Sequence, residues 1–174
     1  MYVTRDHALN AQLDDVAATV RQLRDRTEIV DALLRFGLGQ DLADRDLFAS
    51  SFAEDAELDF RPAAARWGAR PPLMVGRDTI VTTILSGFAG RVDTTHQVTN
   101  PRVDVAGDTA ALSALVEAQH LLTADHGTYA LLKNRYDVTL VRDGARWVMR
   151  RVRIDNVWYV GDPIAIFGGP EGAR

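Results

Sequence analysis

Two patterns predict an α+β domain: helical periodicity concentrated in the first half of the chain, and four long alternating segments separated by turn signals in the second. A third observation marks the interior, because the inward face of one alternating segment carries a histidine. Helices first and an antiparallel meander after them imply helices packed on the concave face of a strongly curved sheet. At 174 residues the chain suits one domain, and its 47% hydrophobic and 25% charged residues argue against disorder.

Residues 9 to 34 carry Leu9, Leu13, Val16, Val20, Leu23, Val30 and Leu34, a heptad-type spacing broken once by Thr27. Asp25 followed by Glu28 has the form of a capping box, which predicts that a first helix ends near Arg24 and a second runs from Arg26 to about Gln40. The stripe Ile29, Val30, Leu33, Leu34 and Phe36 continues to Asp41, which falls where the core-facing side of the second helix ends. A short helix is expected over Asp46 to Phe52. Glu57 to Arg61 then alternates, with Leu58 and Phe60 pointing one way. After a Pro/Arg/Ala-rich loop from Pro62 to Pro72, GRDTIVTTILSGF reads as a helix ending near Gly87.

Strands follow over Thr94 to Ala106, Asp108 to Ala124, Thr128 to Arg142 and Arg146 to Trp158. Asn100-Pro101 shifts the apolar face from even positions to odd ones, Val103 and Val105, as a bulge would. From Gly161 the tail shows no element of its own, although Ile164, Ile166 and Phe167 suit a flap. The expected division is an N-terminal helical extension over 1–24, a domain over 25–160 and a tail over 161–174.

Composition narrows the function. A formal net charge of -4 gives no basic footprint for nucleic acid. No apolar run approaches the roughly 20 residues needed to cross a bilayer, and the segment MYVTRDHALNAQLDD lacks a secretory apolar stretch, so a cytoplasmic protein is expected. The absence of cysteine removes disulfides and thiolate chemistry. His7, His96, His120 and His126 show no HxxxH or HxH spacing, so neither a metal site nor a cofactor is expected.

Within the second alternating segment, Ala110, Leu112, Ala114, Val116, Ala118, His120 and Leu122 share one face, with His120 its only ionisable group. His96 heads the preceding strand on the face of Val98, so two neighbouring strands aim imidazoles at one apolar interior. Asp41 and Phe60 fall on the same side of their own elements. A carboxylate beside an imidazole fixes its tautomer and stabilises the imidazolium, making a stronger base. A second imidazole can then assist a leaving group, which is what elimination of water or halide requires without a cofactor. Asn134 and Tyr136 share the face of Val138 and Leu140 and are candidate substrate contacts. Asp44 and Asp46 compete with Asp41 as the site carboxylate. Trp147, Met149 and Trp158 read as packing, His7 and His126 as surface. Of Arg150, Arg151 and Arg153 at most one faces inward.

These residues lie in a chain that resembles the SnoaL-like branch of the nuclear transport factor 2-like superfamily over about residues 20 to 160. The carriers are EIVDALLRFGLGQDLADRD, FAEDAELDF, the helix start GRDTI, TTHQVTNPRVDVAGDTAAL and LVRDGARWVMRRV. The resemblance implies a cone-shaped α+β fold. Asp41, Phe60, His96 and His120 are spaced most like the site of scytalone dehydratase-like enzymes, where an aspartate, a tyrosine and two histidines hold the corresponding places. In dehydrochlorinases of this fold an Asp-His dyad would map to Asp41 and His96. Phe60 departs from the pattern: a tyrosine there helps hold the substrate carbonyl through water, and phenylalanine donates no such bond. Tyr136 or Asn134 is left to supply it, or the substrate has no carbonyl at that point.

The implied activity is a cofactor-independent lyase, of dehydratase or dehydrohalogenase type, acting on a small, largely apolar cyclic compound. An isomerase or polyketide-type cyclase using the same base is the alternative within enzymes, and a noncatalytic binding or assembly module the alternative outside them. The heptad-like stripe of the first helix predicts a homo-oligomer, a dimer or trimer.

Overall fold

The computed structural model describes residues 3–168, with side chains from residue 12 onward. His7 and Leu9 therefore lie outside the described side chains, and the end of the tail lies outside the described residues. Helix α1 (Val3–Asp41) crosses the molecule, followed by α2 (Arg45–Ala49), β1 (Phe52–Asp59), α3 (Arg61–Ala64), a 3-10 turn (Ala65–Trp67), β2 (Met74–Val75) and α4 (Arg77–Phe88). The meander β3 (Val92–Ala106), β4 (Thr109–Leu122), β5 (Asp125–Asp143) and β6 (Arg146–Gly161) comes next, then α5 (Pro163–Phe167). One six-stranded sheet runs β2-β1-β6-β5-β4-β3. The sheet is mixed and not purely antiparallel: β1 lies parallel to β6.

The expected break near Arg24 is absent, and α1 continues through it. Asp25 does not cap a helix because tertiary partners take its carboxylate: Arg142 Nη1 and Nη2 donate to Oδ1 and Oδ2, each at 2.8 Å, and Trp147 Nε1 donates to Oδ1 at 3.1 Å. The Arg142 guanidinium lies 4.5 Å above the Trp147 ring, closing the cluster. Further along, buried Arg35 donates to the carbonyls of Ser50 at 2.9 Å and Trp147 at 2.8 Å. The buried face of α1 is Ile29, Ala32, Leu33, Phe36, Gly37 and Gln40, while Leu34 is exposed. Leu13, Val16, Val20 and Leu23 are exposed as well.

Asp44 accepts from Leu47 N and starts α2 one residue before the expected Asp46, and Phe52 belongs to β1. β1 ends at Asp59, so Phe60 sits at the head of α3 and not on the strand. Gly39 is required for the helix packing, since a Cβ there would strike the Phe48 backbone.

Bulges set which side chains face inward. Between Thr99 and Arg102 the β3 register shifts and Asn100 takes a φ of 53°, which moves the half-buried positions from even to odd up to Val103, although Val105 is exposed. On β6, Thr139 pairs Arg151 but Leu140 pairs Met149, leaving Arg150 as an extra residue. All three arginines, Arg150, Arg151 and Arg153, are consequently exposed. A second bulge at Val157 pairs Trp158 with Lys133 and Tyr159 with Leu132. The parity flips there: Trp158 is exposed rather than packed, and Tyr159 packs edge-on against Trp67 at 5.9 Å. Trp147 and Met149 are fully buried as expected.

Truncating Asp25 leaves the buried Trp147 N–H and the Arg142 guanidinium without their acceptor. Asp25→Ala should lower stability by about 1–3 kcal/mol, read as a lower urea midpoint at unchanged slope. An unchanged midpoint would show that α1 is held by its apolar face alone.

Candidate active site

The inward faces of the four long strands form a grid. One row reads His96, Ala118, Leu132 and Tyr159, and the next, toward the sheet end, reads Thr94, His120, Ala130 and Gly161. On the other side lie Val98, Val116, Asn134 and Asn156, followed by Ala114, Tyr136 and Ile154. Alanines at the centre leave a hollow, and α1, α3, α4 and α5 close it. The resulting cavity is about 780 Å³ and is lined by His96, His120, Asn134 and Tyr136 among the apolar side chains of Phe36, Phe60, Trp67, Phe88 and Phe167. A small ring system fits such a volume.

Asp41 stands behind this lining. Its carboxylate grips β3 through three donors: Thr94 Oγ1 at 2.7 Å, the His96 backbone N–H at 2.8 Å, and the His96 ring Nδ1 at 2.6 Å. Because a carboxylate accepts, Nδ1 carries the proton and the lone pair of Nε2 is free toward the cavity. The His96 side chain is 3% exposed and Asp41 15%. Burial by itself would raise the Asp41 pKa, but the hydrogen bond and charge of His96, with Thr94, hold it below the usual carboxylate value. Asp44 is spent on capping α2, and Asp46 lies in its first turn. Gly37 allows the approach: a Cβ there would sit 3.0 Å from His96 Cβ.

His120 is buried, with its ring centroid 5.6 Å from that of His96 and in near-perpendicular contact. Phe167 at 4.8 Å and Phe88 at 5.5 Å wall it in. Burial and the neighbouring His96 push its pKa from 6.5 down to about 3, against the pull of Asp41. The imidazole is therefore neutral. Its Nδ1 is buried without a hydrogen-bond partner, and the backbone of Ala118 and Ala130 beside the ring opposes the shift only in part.

Tyr136 is buried against Phe36, and burial with the Asp41 charge raises its hydroxyl pKa. Asn134 Oδ1 accepts from Asn156 Nδ2 at 2.9 Å. Phe60 contributes a ring edge, 5.7 Å from Trp67 and 5.6 Å from Phe167.

Several side chains of the site escaped the sequence reading. Trp67 and Ala64 come from the segment expected to be loop, where Pro62 near a helix start was the available signal. The tail does have an element, α5: Asp162 caps it by accepting from Ala165 N, and Arg91 Nη2 donates to the Ile166 carbonyl at 2.8 Å. Ile166 is buried and Phe167 stacks on Trp67. Asn156, in line with Val152 and Ile154, was legible by alternation.

The site is thus a cavity under a curved sheet, largely apolar, with an Asp-His pair at its edge. The chain belongs to the SnoaL-like domain family, whose model matches residues 21–153. It is similar to the terrestric acid biosynthesis cluster protein E of Penicillium crustosum, with 31% identity over 153 residues that cover 84% of this chain and 91% of that protein. Among solved structures it is similar to a scytalone dehydratase-like protein of Novosphingobium aromaticivorans, with a TM-score of 0.72, 22% identity, and coverage of 90% of this chain and 99% of the other. The hexachlorocyclohexane dehydrochlorinase LinA-type3 of Novosphingobium barchaimii gives a TM-score of 0.66 at 18% identity, covering 83% and 94%. At these identities the two structures speak for the fold alone. Among the described residues no helix is long and apolar enough to cross a membrane.

The His120 shift has a measurable linkage. Unfolded, the imidazole takes a proton near pH 6.5; folded, it resists until about 3. Between those values the unfolded state binds more protons, so stability is lost as pH falls through that window. The urea midpoint of wild type should fall more steeply than that of His120→Leu as pH drops from 7 to 4. Parallel curves would show that His120 is not buried neutral.

Proposed function

We propose that this protein is a cofactor-independent lyase in which His96, oriented by Asp41, removes a proton from a small, largely apolar cyclic substrate. The observation that carries this reading is the 2.6 Å contact between Asp41 and His96 Nδ1, which turns a bare Nε2 toward an aromatic-lined cavity. In an elimination, the C–H electron pair forms the new double bond as Nε2 takes the proton. The leaving group departs with its own bonding pair. A departing hydroxide then takes a proton back from the imidazolium, so the net loss is water; a halide leaves as the anion.

His120, being neutral, does not act as a pre-charged acid. It donates a hydrogen bond from its ring N–H to the oxygen on which charge gathers, as a preorganised donor. This same property favours a second reading: isomerisation or cyclisation through an enolate, with the same base and no group lost. The terrestric acid cluster relative supports a small organic substrate but does not discriminate between the two.

Mass-spectrometric screening against small hydroxylated and halogenated cyclic compounds tests the reading: loss of water or hydrogen halide supports the lyase, and a product of unchanged mass supports the second reading. Against the substrate found, His96→Ala should lower kcat by on the order of 100-fold or more at unchanged circular dichroism. Asp41→Asn should also lower kcat, because the pair loses its charge. His120, already neutral above about pH 3, should add no limb of its own to the pH profile of the rate. Full activity in His96→Ala would overturn the dyad.

The exposed side chains Leu13, Val16, Val20 and Leu23 lie on one heptad seam of α1, and we place a homo-oligomer contact there. Light scattering should report a dimer or trimer, converted toward monomer by Val16→Glu with Val20→Glu. A wild-type monomer would exclude it, and an oligomer that survives the substitutions would move the interface to the sheet.

A further inference from the structure

The Asn134–Asn156 pair is a buried polar device in the middle of an apolar sheet face. Asn156 is buried one strand away from Asn134 and directly opposite it in register, yet it does not line the cavity. Its Nδ2 points at three oxygens: the Trp158 carbonyl at 2.9 Å, the Lys133 carbonyl at 3.4 Å and Asn134 Oδ1 at 2.9 Å. Two of these acceptors are backbone carbonyls and cannot change role. Flipping the Asn156 amide would set its oxygen against both, so the orientation is fixed by chemistry even though an amide's O and N scatter alike. The bulge at Val157 brings the Trp158 carbonyl into this position.

The consequence passes to Asn134. Its oxygen must accept from Asn156, so its own Nδ2 is left to face away, and Asn134 lines the cavity. Asn156 Oδ1 is buried without a partner, a cost of about 1–3 kcal/mol that the fold accepts to hold this sense. Two residues further along β5, about 7 Å away on the same face, Tyr136 adds a hydroxyl to the lining. Neither group is an obligate acceptor toward the cavity, whose lining also carries Gln40, Arg70, Thr83 and Arg91.

We propose that Asn156 is a positioning residue that locks Asn134 as a hydrogen-bond donor, and that this part of the wall thereby receives a ketone-type acceptor oxygen of the substrate. This deepens the lyase reading, on which it rests for the role of the carbonyl: an oxygen held by Asn134 withdraws charge from the carbon whose proton His96 takes. It also supplies the donor that Phe60 lacks.

Two probes of matched shape test this, 1-tetralone with its carbonyl and tetrahydronaphthalene without it. Binding is followed through Trp67 fluorescence, and the bound ketone through its infrared carbonyl stretch. In wild type the stretch should move to lower frequency than in hydrocarbon solvent. Asn134→Leu should weaken ketone binding about tenfold, leave the hydrocarbon Kd in place and return the stretch to its hydrocarbon-like value. Asn156→Leu, which does not touch the probe, should weaken the ketone alone by a smaller factor and broaden the stretch as the freed Asn134 amide rotates. A purely structural role for Asn156 would weaken both probes together and overturns the positioning claim. An unshifted stretch in wild type, or equal losses for both probes in Asn134→Leu, overturns the donor wall. Should Asn156→Leu not fold, these wild-type and Asn134→Leu measurements still decide the polarity. None of them needs turnover, so a failed lyase screen with an intact ketone preference would sink the reading and leave this inference standing.

Discussion

One carboxylate holds the arrangement of the site. Asp41 spends both oxygens on β3, taking the Thr94 hydroxyl, the His96 amide and the His96 ring. It is the last residue of α1, so the helix end and the first strand of the meander are fixed to each other at the place where the His96 ring meets the cavity. Everything that lets the helix reach this spot serves the contact. Gly37 removes a Cβ that would press on His96, and Gly39 lets α2 close underneath. At the far side of the sheet, Asp25 and Arg35 tie the same helix to the strand that carries Trp147. Three polar side chains on one long helix set its height, tilt and rotation against the sheet.

The cavity illustrates how an apolar wall changes the chemistry of the groups it contains. His96 and His120 are both imidazoles on neighbouring strands, and their rings touch. One has a carboxylate beside it; the other has aromatic neighbours, and burial keeps it neutral. Two copies of one residue type are thus given different chemical surroundings, the difference on which the proposed base and donor roles rest. Asn134 is treated in a similar way, its ambiguity as donor or acceptor removed by a partner that stands outside the cavity.

Much of this was legible from the chain. Alternation placed His120, Asn134 and Tyr136 on inward faces, and the structure sets all three on the cavity wall. The Asn100-Pro101 bulge was visible because proline cannot donate to a ladder. What failed was local signal overruled by distant partners. Asp25 and Glu28 have the spacing of a helix start, but Arg142 and Trp147 claim Asp25 from far along the chain. Trp158 looked inward by parity until the bulge at Val157 turned it out, and no proline or glycine marks that bulge. Leu34 fits the apolar stripe of α1 yet faces solvent, because the sheet covers a face rotated from it.

By itself the sequence determined the succession of helices and then a meander, the strand faces as far as the Val157 bulge and the residue types available for proton transfer, since periodicity and turn chemistry are properties of neighbours along the chain. Only the tertiary structure decided that Asp41 rather than Asp44 or Asp46 meets His96, that the tail folds as α5 over His120, and that Asn156 donates to Asn134. Each of those outcomes depends on groups far apart in sequence coming into contact, where hydrogen bonds have direction and a single bulge reverses which side chain arrives.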